Sequence, residues 1–416
     1  MTASVINPPD FLLQRIMNIV TVEQAETMIR SVVKDYGTET VDQGAALGRV
    51  LAEDLLADRD MPPFHRATVD GAAIDYDAYA KGQRIFRVKA TQAAGQKPVA
   101  ITAPDECVEI MTGAAVDATM DAVVRYEDLA VDEGWVTVKD IPLSRGQNIH
   151  RKGQDKAVGS IVASSGRVIT PALEGLAASV GKTELLVRRC PRVVIISTGD
   201  EMVPASEVPG DYQLRRSNGI TIKSVLDRYR ICPDVLHLND DFPLIEKELG
   251  RCLKEYDVLL VTGGVSMGKF DFIPRALDGL SVKKLFHKVK QRPGKPFWFG
   301  AHQGGALVFA FPGNPVSVFM CLHRYFVPWL EKSLGLKDRP YEYAVLQNSV
   351  RVSFPLQYFA QVKLQVNEQG VLCANTVDTN GSGDFSNLIY TDGFMEFPLE
   401  RNEFQPGEVY RIWRYR

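Results

Sequence analysis

From about residue 190, short apolar runs alternate with segments that have the periodicity of amphipathic helices. The apolar runs are short and β-branched, which is typical of strands buried on both faces. Strands are expected at residues 192–197, 235–238, 258–261, 285–289 and 306–311, and helices at 218–229 and 244–253. The pattern predicts an α/β fold with a right-handed, mostly parallel sheet and helices on both faces.

The remaining segments have different patterns. One apolar face marks a predicted helix over residues 22–34, and a proline opens another over 171–180. Residues 84–144 and 340–416 alternate apolar and polar positions between turns rich in Gly, Pro and Asp. This predicts two small β-rich domains, of which the second is barrel-like. After Pro328 the helical pattern fades.

Polar or glycine residues follow four predicted strands, at Glu201, Asp240, Gly263 and Gly313. Parallel strands end at the same edge of a sheet, and open α/β sheets bind their ligands there, so we expect these positions to converge. Gly263 and Gly264 let the backbone approach a ligand closely, which predicts a phosphate-binding loop. The alternative is a tight strand-to-helix turn without a ligand.

The predicted strand edge carries the residue types of a magnesium and phosphate site. Ser266 and Asp271 follow the glycines in a polar loop, and Asp271 is a candidate metal ligand or acid. Mg²⁺ takes one or two carboxylates together with phosphate oxygens, and cations suit an oxyanion. The candidate carboxylates are Asp200, Glu201, Asp240, Asp241 and Asp271, and the candidate cations are Lys288, Arg292 and Lys295.

Several of these side chains have a structural alternative. Lys288 could be a solvated strand residue, and Asp240 and Asp241 suit the first turn of the following helix. Asn314 and Pro315 fit the N-cap and first position of a helix, whose free N–H groups attract anions. The six histidines lack metal-ligand spacing, and we assign them structural or surface roles.

Composition narrows the class of protein without identifying it. The 416 residues, with 45% hydrophobic and 24% charged positions, allow about two to four ordinary globular domains. A net charge of −3 gives no sign of a nucleic-acid partner, and neither a membrane helix nor a signal peptide is expected. Six cysteines without a CxxC pair favour buried thiols in a reducing compartment, which predicts a cytoplasmic protein.

Nine short motifs are spread over most of the chain. They are Pro62-Pro-Phe with Asp70-Gly71, Met111-Thr-Gly-Ala with Asp121-Ala-Val-Val, Gly146-Gln-Asn-Ile with Gly153-Gln-Asp155, Ser197-Thr-Gly-Asp-Glu201, Ser217-Asn218, Asp240-Asp241, Gly263-Gly-Val-Ser-Met-Gly with Asp271, Pro293-Gly-Lys-Pro296 and Pro312-Gly-Asn-Pro-Val-Ser317. In this order they resemble the molybdopterin molybdenumtransferase family, MoeA in bacteria and the E domain of gephyrin in animals. Each motif is weak alone, and the ordered set is specific.

The resemblance implies the last step of molybdenum cofactor synthesis. Adenylated molybdopterin and molybdate would react with Mg²⁺ to give molybdenum cofactor and AMP. It also implies four domains: an elongated linker domain (1–60 and 146–188), an inserted β-rich domain (61–145), an α/β molybdopterin-binding domain (189–335) and a C-terminal β-barrel domain (336–416).

The resemblance further implies a homodimer with composite active sites, and handover to molybdopterin adenylyltransferase or to molybdoenzymes. The catalytic set would be Asp70, Thr112, Asp155, Glu201, Asp240 and Asp271, with Glu201, Asp240 and Asp271 on the metal. Phosphate, pterin and oxyanion would contact Gly263, Gly264, Ser266, Lys288, Arg292, Lys295, Gly313, Asn314 and Ser382.

The sequence departs from the family pattern at several positions. Ala73 stands where a tyrosine is frequent, Arg292 where a lysine is frequent, and Arg216 where an acidic residue is common. An arginine expected near Tyr358-Phe359 is not evident, and Gln361 is the candidate for its position. These departures leave open whether molybdate or tungstate is preferred. Two other classes also remain open. One is a different enzyme on the same sheet, either the related molybdopterin adenylyltransferase or a nucleotide hydrolase with the same Thr-Gly-Gly fingerprint, and the N-terminal half with Asp70 and Asp155 argues against it. The other is a scaffold protein, and the complete carboxylate set argues against it.

Overall fold

The computed structural model describes residues 19–265 and 272–416 of the chain. Within these ranges the chain forms three six-stranded sheets and several two-stranded ladders. No helix in the same ranges is long and apolar enough to cross a membrane. One of the larger sheets lies in the N-terminal half of the chain, and the other two lie in the C-terminal half.

The N-terminal half is built mostly from short strands. Its elements are α1 (Val22–Arg30), β1 (Thr38–Asp42), α2 (Gln43–Ala46), β2 (Leu55–Leu56), β3 (Arg66–Ala67), β4 (Gly71–Ile74), α3 (Tyr76–Ala80), β5 (Ile85–Gln92), β6 (Glu106–Ile110), β7 (Ala122–Arg125), a 3₁₀ turn (Tyr126–Asp128), β8 (Leu129–Asp132), β9 (Trp135–Val138), β10 (Ile149–His150), β11 (Ile161–Ala163), α4 (Pro171–Ser179) and β12 (Glu184–Arg188). Six of them form a sheet in the order β7-β4-β6-β5-β9-β8, which confirms the β-rich prediction. Strand β1 pairs with β12 and β2 with β11. The chain segments that precede and follow this sheet in sequence therefore pair with each other.

Helix α1 begins where its sequence supplies a cap. The Thr21 hydroxyl accepts a hydrogen bond from the Gln24 amide, and the Gln24 side chain accepts one from the Thr21 amide. This reciprocal capping box satisfies two N–H groups that the helix itself leaves unpaired. The predicted helix is therefore confirmed, although it ends at Arg30, short of the expected residue 34.

The second half opens with an α/β unit. Its elements are β13 (Val193–Thr198), β14 (Met202–Val203), β15 (Leu214–Arg215), α5 (Asn218–Asp227), β16 (Asp234–Leu238), α6 (Phe242–Glu255), β17 (Val258–Thr262), α7 (Phe272–Gly279), β18 (Val282–His287), β19 (Gln291–Arg292), β20 (Trp298–His302), β21 (Leu307–Phe311), α8 (Pro315–Cys321), a π-helical turn (Leu322–Phe326) and α9 (Val327–Ser333). The sheet order is β16-β13-β17-β21-β20-β18. The first four strands are parallel to one another. Strand β20 then pairs antiparallel with β21, and the edge strand β18 pairs antiparallel with β20.

Successive residues of β13 face opposite sides of this sheet. Val193 and Ile195 belong to one apolar core, while Val194 and Ile196 belong to another, as the two-residue period of a strand requires. Helices α1, α5 and α8 contribute to the first core, and α6 and α7 to the second. The prediction of a mostly parallel sheet covered on both faces is therefore confirmed.

The structure corrects three local predictions. Lys288 lies just beyond β18, in a left-handed conformation with φ of 80°, and is not a strand residue. The sequence pattern did not predict strand β20, because the aromatic run that includes Trp298 has no clear alternation. The side chain of Trp298 is fully buried in the sheet. Helix α9 continues past Pro328 to Ser333, since proline is tolerated in a first helical turn.

The C-terminal strands close into a barrel. They are β22 (Glu342–Leu346), β23 (Val350–Arg351), β24 (Gln357–Val366), β25 (Leu372–Thr376), β26 (Gly393–Phe397), β27 (Glu403–Phe404) and β28 (Val409–Arg414), with a 3₁₀ turn at Ser386–Tyr390. Strands β24, β25, β22, β28 and β26 pair in sequence, and β26 pairs back to β24. The predicted barrel is thus confirmed, and β19 extends it by pairing with β24.

A buried arginine joins three parts of the molecule. Arg324, in the π-helical turn, is 2% exposed and donates to Glu26 of α1 at 2.7 Å. Its Nε lies 3.8 Å from Glu396 of β26, and its guanidinium stacks 4.2 Å from the ring of Trp413. Burial by itself raises the pKa of Glu26. The charge and hydrogen bond of Arg324, together with the charges of Arg30 and Arg411, outweigh burial, so the pKa lies below its ordinary value.

We expect Arg324→Met to lower the free energy of unfolding by about 3–5 kcal/mol at pH 7, because two carboxylates lose their compensating buried charge. A carboxyl whose folded pKa is lowered contributes stability above its ordinary pKa and loses it as pH falls through the lowered value. The difference between wild type and variant should therefore shrink in acid. Urea unfolding curves at pH 7 and near pH 4 measure both effects.

Arg251→Met is a matched control, since Arg251 pairs with Glu248 and Glu255 on the exposed surface of α6. Surface pairs of this kind contribute about 0–1 kcal/mol. Equal costs at the two positions would mean that Arg324 has no special role in joining the three parts.

Candidate functional site

The predicted convergence of strand ends is confirmed by the register of the parallel sheet. Ser197 lies opposite Thr262, Thr198 opposite Leu238, and Thr262 opposite Phe311. The loops that begin at these positions therefore leave the sheet at one edge. They carry Glu201, Asp240, Gly263 and Gly313, the four positions expected there.

The glycine loop leaves room for nothing larger than glycine. Gly263 and Gly264 have φ of 89° and 63°, and a Cβ at either position would lie 3.0 Å from Thr198 Oγ1. Thr198 is buried, and within residues 19–265 and 272–416 its hydroxyl has no hydrogen-bond partner. Buried hydroxyls without a partner are rare, so an unfilled hydrogen bond at this edge fits a ligand-binding loop.

Three carboxylates of this edge have different surroundings. Asp241 accepts from the Leu244 amide at 2.8 Å and caps α6, so its structural alternative is confirmed. Asp200 accepts from the Asp240 amide at 3.0 Å and fixes the backbone there. The carboxylate of Glu201 folds back over Gly199, where an added Cβ would come within 2.5 Å of Oε2.

Two predicted site residues, Ser266 and Asp271, lie outside the described residues. Among residues 19–265 and 272–416, no group of three or more His, Cys, Asp or Glu side chains is arranged to hold a metal ion. The magnesium set of Glu201, Asp240 and Asp271 therefore stays a prediction.

Sequence reasoning missed a histidine beside this edge. His237 lies opposite Ser197 in the register of β16 and β13, with Ser197 Oγ 3.0 Å from His237 Nδ1. Burial, and then the charge of Arg216, lower the pKa of His237, against the opposing influence of Ser197, Glu201 and Asp200. Only the pairing register of two parallel strands brings these groups together, and no sequence motif encodes it.

A loop of the barrel that carries Ser382 reaches the strand edge. Asn314 occupies the N-cap position of α8, as predicted, but its side chain donates to Ser382 Oγ at 2.8 Å instead of capping the helix. The Ser382 carbonyl accepts from the Val316 amide at 3.2 Å. Asn218 donates to the Gly313 carbonyl at 2.7 Å and holds the same loop from α5. The structure thus brings together Gly313, Asn314 and Ser382.

The predicted cations lie on the segment between β18 and β20, whose short strand β19 pairs with β24 of the barrel. The Val289 amide donates to the Lys295 carbonyl at 2.9 Å, which closes this segment into a compact turn. Arg292 is exposed, and its guanidinium lies 4.4 Å from the ring centre of Phe354. Gln361, in contrast, is buried inside the barrel beside Thr391, so its side chain is not exposed for contact with a ligand.

The predicted residues of the N-terminal half form two small clusters. Asp70 Oδ1 accepts from both the amide and the hydroxyl of Thr112, at 2.6 and 2.7 Å. These two bonds lower the pKa of Asp70, so the carboxyl stays ionised at neutral pH. Asp155 lies beside His150, whose Nε2 is 2.9 Å from Asp155 Oδ1. Both carboxylates are largely exposed.

A sizeable cavity lies elsewhere. It has a volume of about 510 Å³ and is bounded by α9, the end of β28 and the segment between α9 and β22. None of the predicted site residues lines it.

Comparisons with known proteins cover almost the whole chain. Residues 20–181 match a family described as MoeA N-terminal region (domain I and II), residues 194–332 a probable molybdopterin binding domain, and residues 343–414 the MoeA C-terminal region (domain IV). A molybdopterin molybdenumtransferase from Synechocystis sp. is 35% identical over 95% of this chain and 100% of its own length. One from Staphylococcus aureus is 30% identical over 95% of each chain.

Solved structures agree with these sequence matches. A molybdopterin biosynthesis MoeA protein from Pyrococcus horikoshii has a TM-score of 0.80 and 26% identity, over 95% of this chain and 100% of that one. A second structure of a MoeA protein from this organism has a TM-score of 0.79 and 27% identity, over 96% and 99%. By sequence and by fold, the chain belongs to the MoeA family of molybdopterin molybdenumtransferases.

Proposed function

We propose that this chain inserts molybdate into adenylated molybdopterin in a Mg²⁺-dependent reaction that gives molybdenum cofactor and AMP. The observation that carries the proposal is full-length membership of a family whose curated relatives bear the name molybdopterin molybdenumtransferase. The strand edge supports it, because it combines a glycine loop, carboxylates and a nearby cationic turn. These groups suit phosphate and oxyanion substrates.

The carboxylate oxygens at the strand edge are of the chemical type that a magnesium ion prefers. Glu201 and Asp240 follow neighbouring parallel strands, and Thr198 next to them has an unfilled hydrogen bond among the described residues. Glu201, Asp240 and Asp271 would hold the ion, which when bound would neutralise phosphate charge and orient the reacting groups. The backbone at Gly263 and Gly264 would hold the phosphates.

The other described residues have separate roles in this proposal. Lys288, Arg292 and Lys295 would bind the oxyanion, and Asn314 and Ser382 would close that side of the site. Asp70, ionised and fixed by Thr112, would act with Asp155 on the substrate from another surface. Since both lie on an exposed face of the N-terminal half, we propose that they complete the site of a second copy in a two-fold dimer.

We expect Glu201→Gln to fold normally and to lose about 10²-fold or more of insertion activity, as when a preorganised electrostatic contact is removed. The amide keeps the shape of the side chain and removes its charge. Molybdenum cofactor formation from purified substrates measures the effect, and excess Mg²⁺ should recover part of it. Near-normal activity of a well-folded Glu201→Gln protein would remove Glu201 from the site.

Arg292→Ala should raise the molybdate concentration for half-maximal rate by about tenfold, since a charge-assisted contact is lost. Arg292→Lys should fall between wild type and Arg292→Ala, because lysine keeps the charge and loses the planar fork. The exposed Lys284 of β18 gives a control, Lys284→Ala, that should not change the molybdate dependence. Parallel titrations with tungstate test which oxyanion the arginine favours, and an unchanged molybdate dependence for Arg292→Ala would assign Arg292 to the barrel surface alone.

The composite site can be tested by subunit exchange. Asp70→Asn and Glu201→Gln proteins, each nearly inactive, should recover about a quarter of wild-type activity after mixing in equal amounts. Half of the dimers would then be mixed, and each mixed dimer would have one intact site of two. No recovery, with exchange verified by native mass spectrometry, would place both residues in the site of a single chain.

A further inference from the structure

A two-residue ladder in the N-terminal half places Arg66 directly opposite His150. Strands β3 and β10 pair antiparallel in the register Arg66–His150 and Ala67–Ile149. The ladder is extended on one side by a hydrogen bond from the Thr68 amide to the Asn148 carbonyl, at 2.9 Å. Asp70 follows one strand and Asp155 follows the other. The register therefore determines which side chains stand behind the two exposed carboxylates.

The contacts of His150 determine its tautomer. Arg66 Nη2 lies 3.2 Å from His150 Nδ1, and His150 Nε2 lies 2.9 Å from Asp155 Oδ1. A guanidinium has only donors, so Nδ1 must be the acceptor and carries no proton. The ring proton is then on Nε2, where it is donated to the carboxylate. A single neutral tautomer satisfies both neighbours, whereas a proton on Nδ1 would face the N–H groups of Arg66.

Asp155 depends on this contact for its orientation. Its side chain is 56% exposed, and within residues 19–265 and 272–416 His150 is the hydrogen-bond partner of its carboxylate. Asp70 differs, because two bonds from Thr112 already fix its Oδ1. An exposed carboxylate with one partner keeps a single rotamer only while that partner is itself held in place.

We propose that His150 is a positioning residue for Asp155 and that Arg66 fixes the tautomer in which His150 acts. The proposal rests on the proposed function, in which Asp155 acts on the substrate. Arg66 and His150 do not touch the substrate in this scheme. They form a chain of directed hydrogen bonds that aims the carboxylate.

Glutamine and leucine at position 150 separate positioning from packing. A glutamine side chain can accept from Arg66 with its oxygen and donate to Asp155 with its nitrogen, while leucine can do neither. We expect His150→Leu to lower kcat by about 10-fold or more, as when an outer hydrogen-bond partner is lost. His150→Gln should keep most of the activity. The molybdate KM should change in neither, because the oxyanion cations lie on another part of the chain.

His302→Leu, on β20, is the matched control and should behave as wild type in the same assay. Thermal unfolding shows whether each variant is folded. Equal losses in His150→Leu and His150→Gln, or no loss in His150→Leu, would overturn the proposal.

A second pair of substitutions tests the role of Arg66 through its charge. His150→Arg places two guanidinium groups opposite each other, both of them donors, and should lower kcat. Adding Arg66→Asn supplies an amide oxygen that can accept from the new arginine. The double variant should therefore be more active than the sum of the two single losses predicts. Additive losses would show that positions 66 and 150 do not act as a pair.

The hydrogen-bond chain can also be observed without an activity assay. In protein labelled with ¹⁵N-histidine, the signal missing from His150→Gln identifies His150, and its two nitrogens should report a proton on Nε2 alone. Arg66→Leu should convert this to a mixture of tautomers. A proton on Nδ1 in the wild type would overturn the proposal. Absence of insertion activity in the wild type would contradict the proposed function, and the nitrogen signals would still decide the tautomer.

Discussion

The buried guanidinium of Arg324 is the constraint on which the arrangement of this protein depends. It is paired with Glu26 of the first helix and Glu396 of the barrel, and it is packed against Trp413. Charges in such a place are tolerated only when their partners are present, so the helix, the π-helical turn and the barrel must be in place together. Gln357 and Trp413 also donate to Glu396, which ties the network to two further barrel strands.

This constraint has a consequence at the strand edge. Helix α8 leads directly into the turn that carries Arg324, and the loop before α8 contacts Ser382 of the barrel. The barrel is therefore held to the sheet region by a buried, charged contact and by an exposed, polar one, in addition to the pairing of β19 with β24. Residues of the barrel can then contribute to a site whose backbone belongs to the sheet.

Much of this arrangement could be predicted from the sequence. The alternation of apolar runs and helical segments gives the parallel sheet, and the rule that parallel strands end at one edge gives the convergence of Gly263 with Asp240. The family resemblance implied that Asp70 and Thr112 belong to one site. Their hydrogen bonds to each other were not predicted, since nothing in the local pattern relates positions so far apart.

Other features depend on tertiary contacts that a single sequence does not encode. The register that places Ser197 opposite His237 is set by the alignment of two strands in the folded sheet. The same is true of the register that places Arg66 opposite His150. The left-handed backbone of Lys288, between β18 and β19, is another feature that the sequence pattern did not predict. The sequence pattern does not single out Arg324, because its partners are contributed by segments almost 300 positions before it and more than 70 after it.

The contact between Asn314 and Ser382 has a consequence for synthesis on the ribosome. The two residues are 68 positions apart, and the Val316 amide in the first turn of α8 depends on the same loop for its hydrogen bond. A nascent chain that has just released α8 therefore lacks this partner. Domains generally fold as units from the N-terminus during translation, so the sheet should emerge with an open strand edge that is completed only when the barrel arrives.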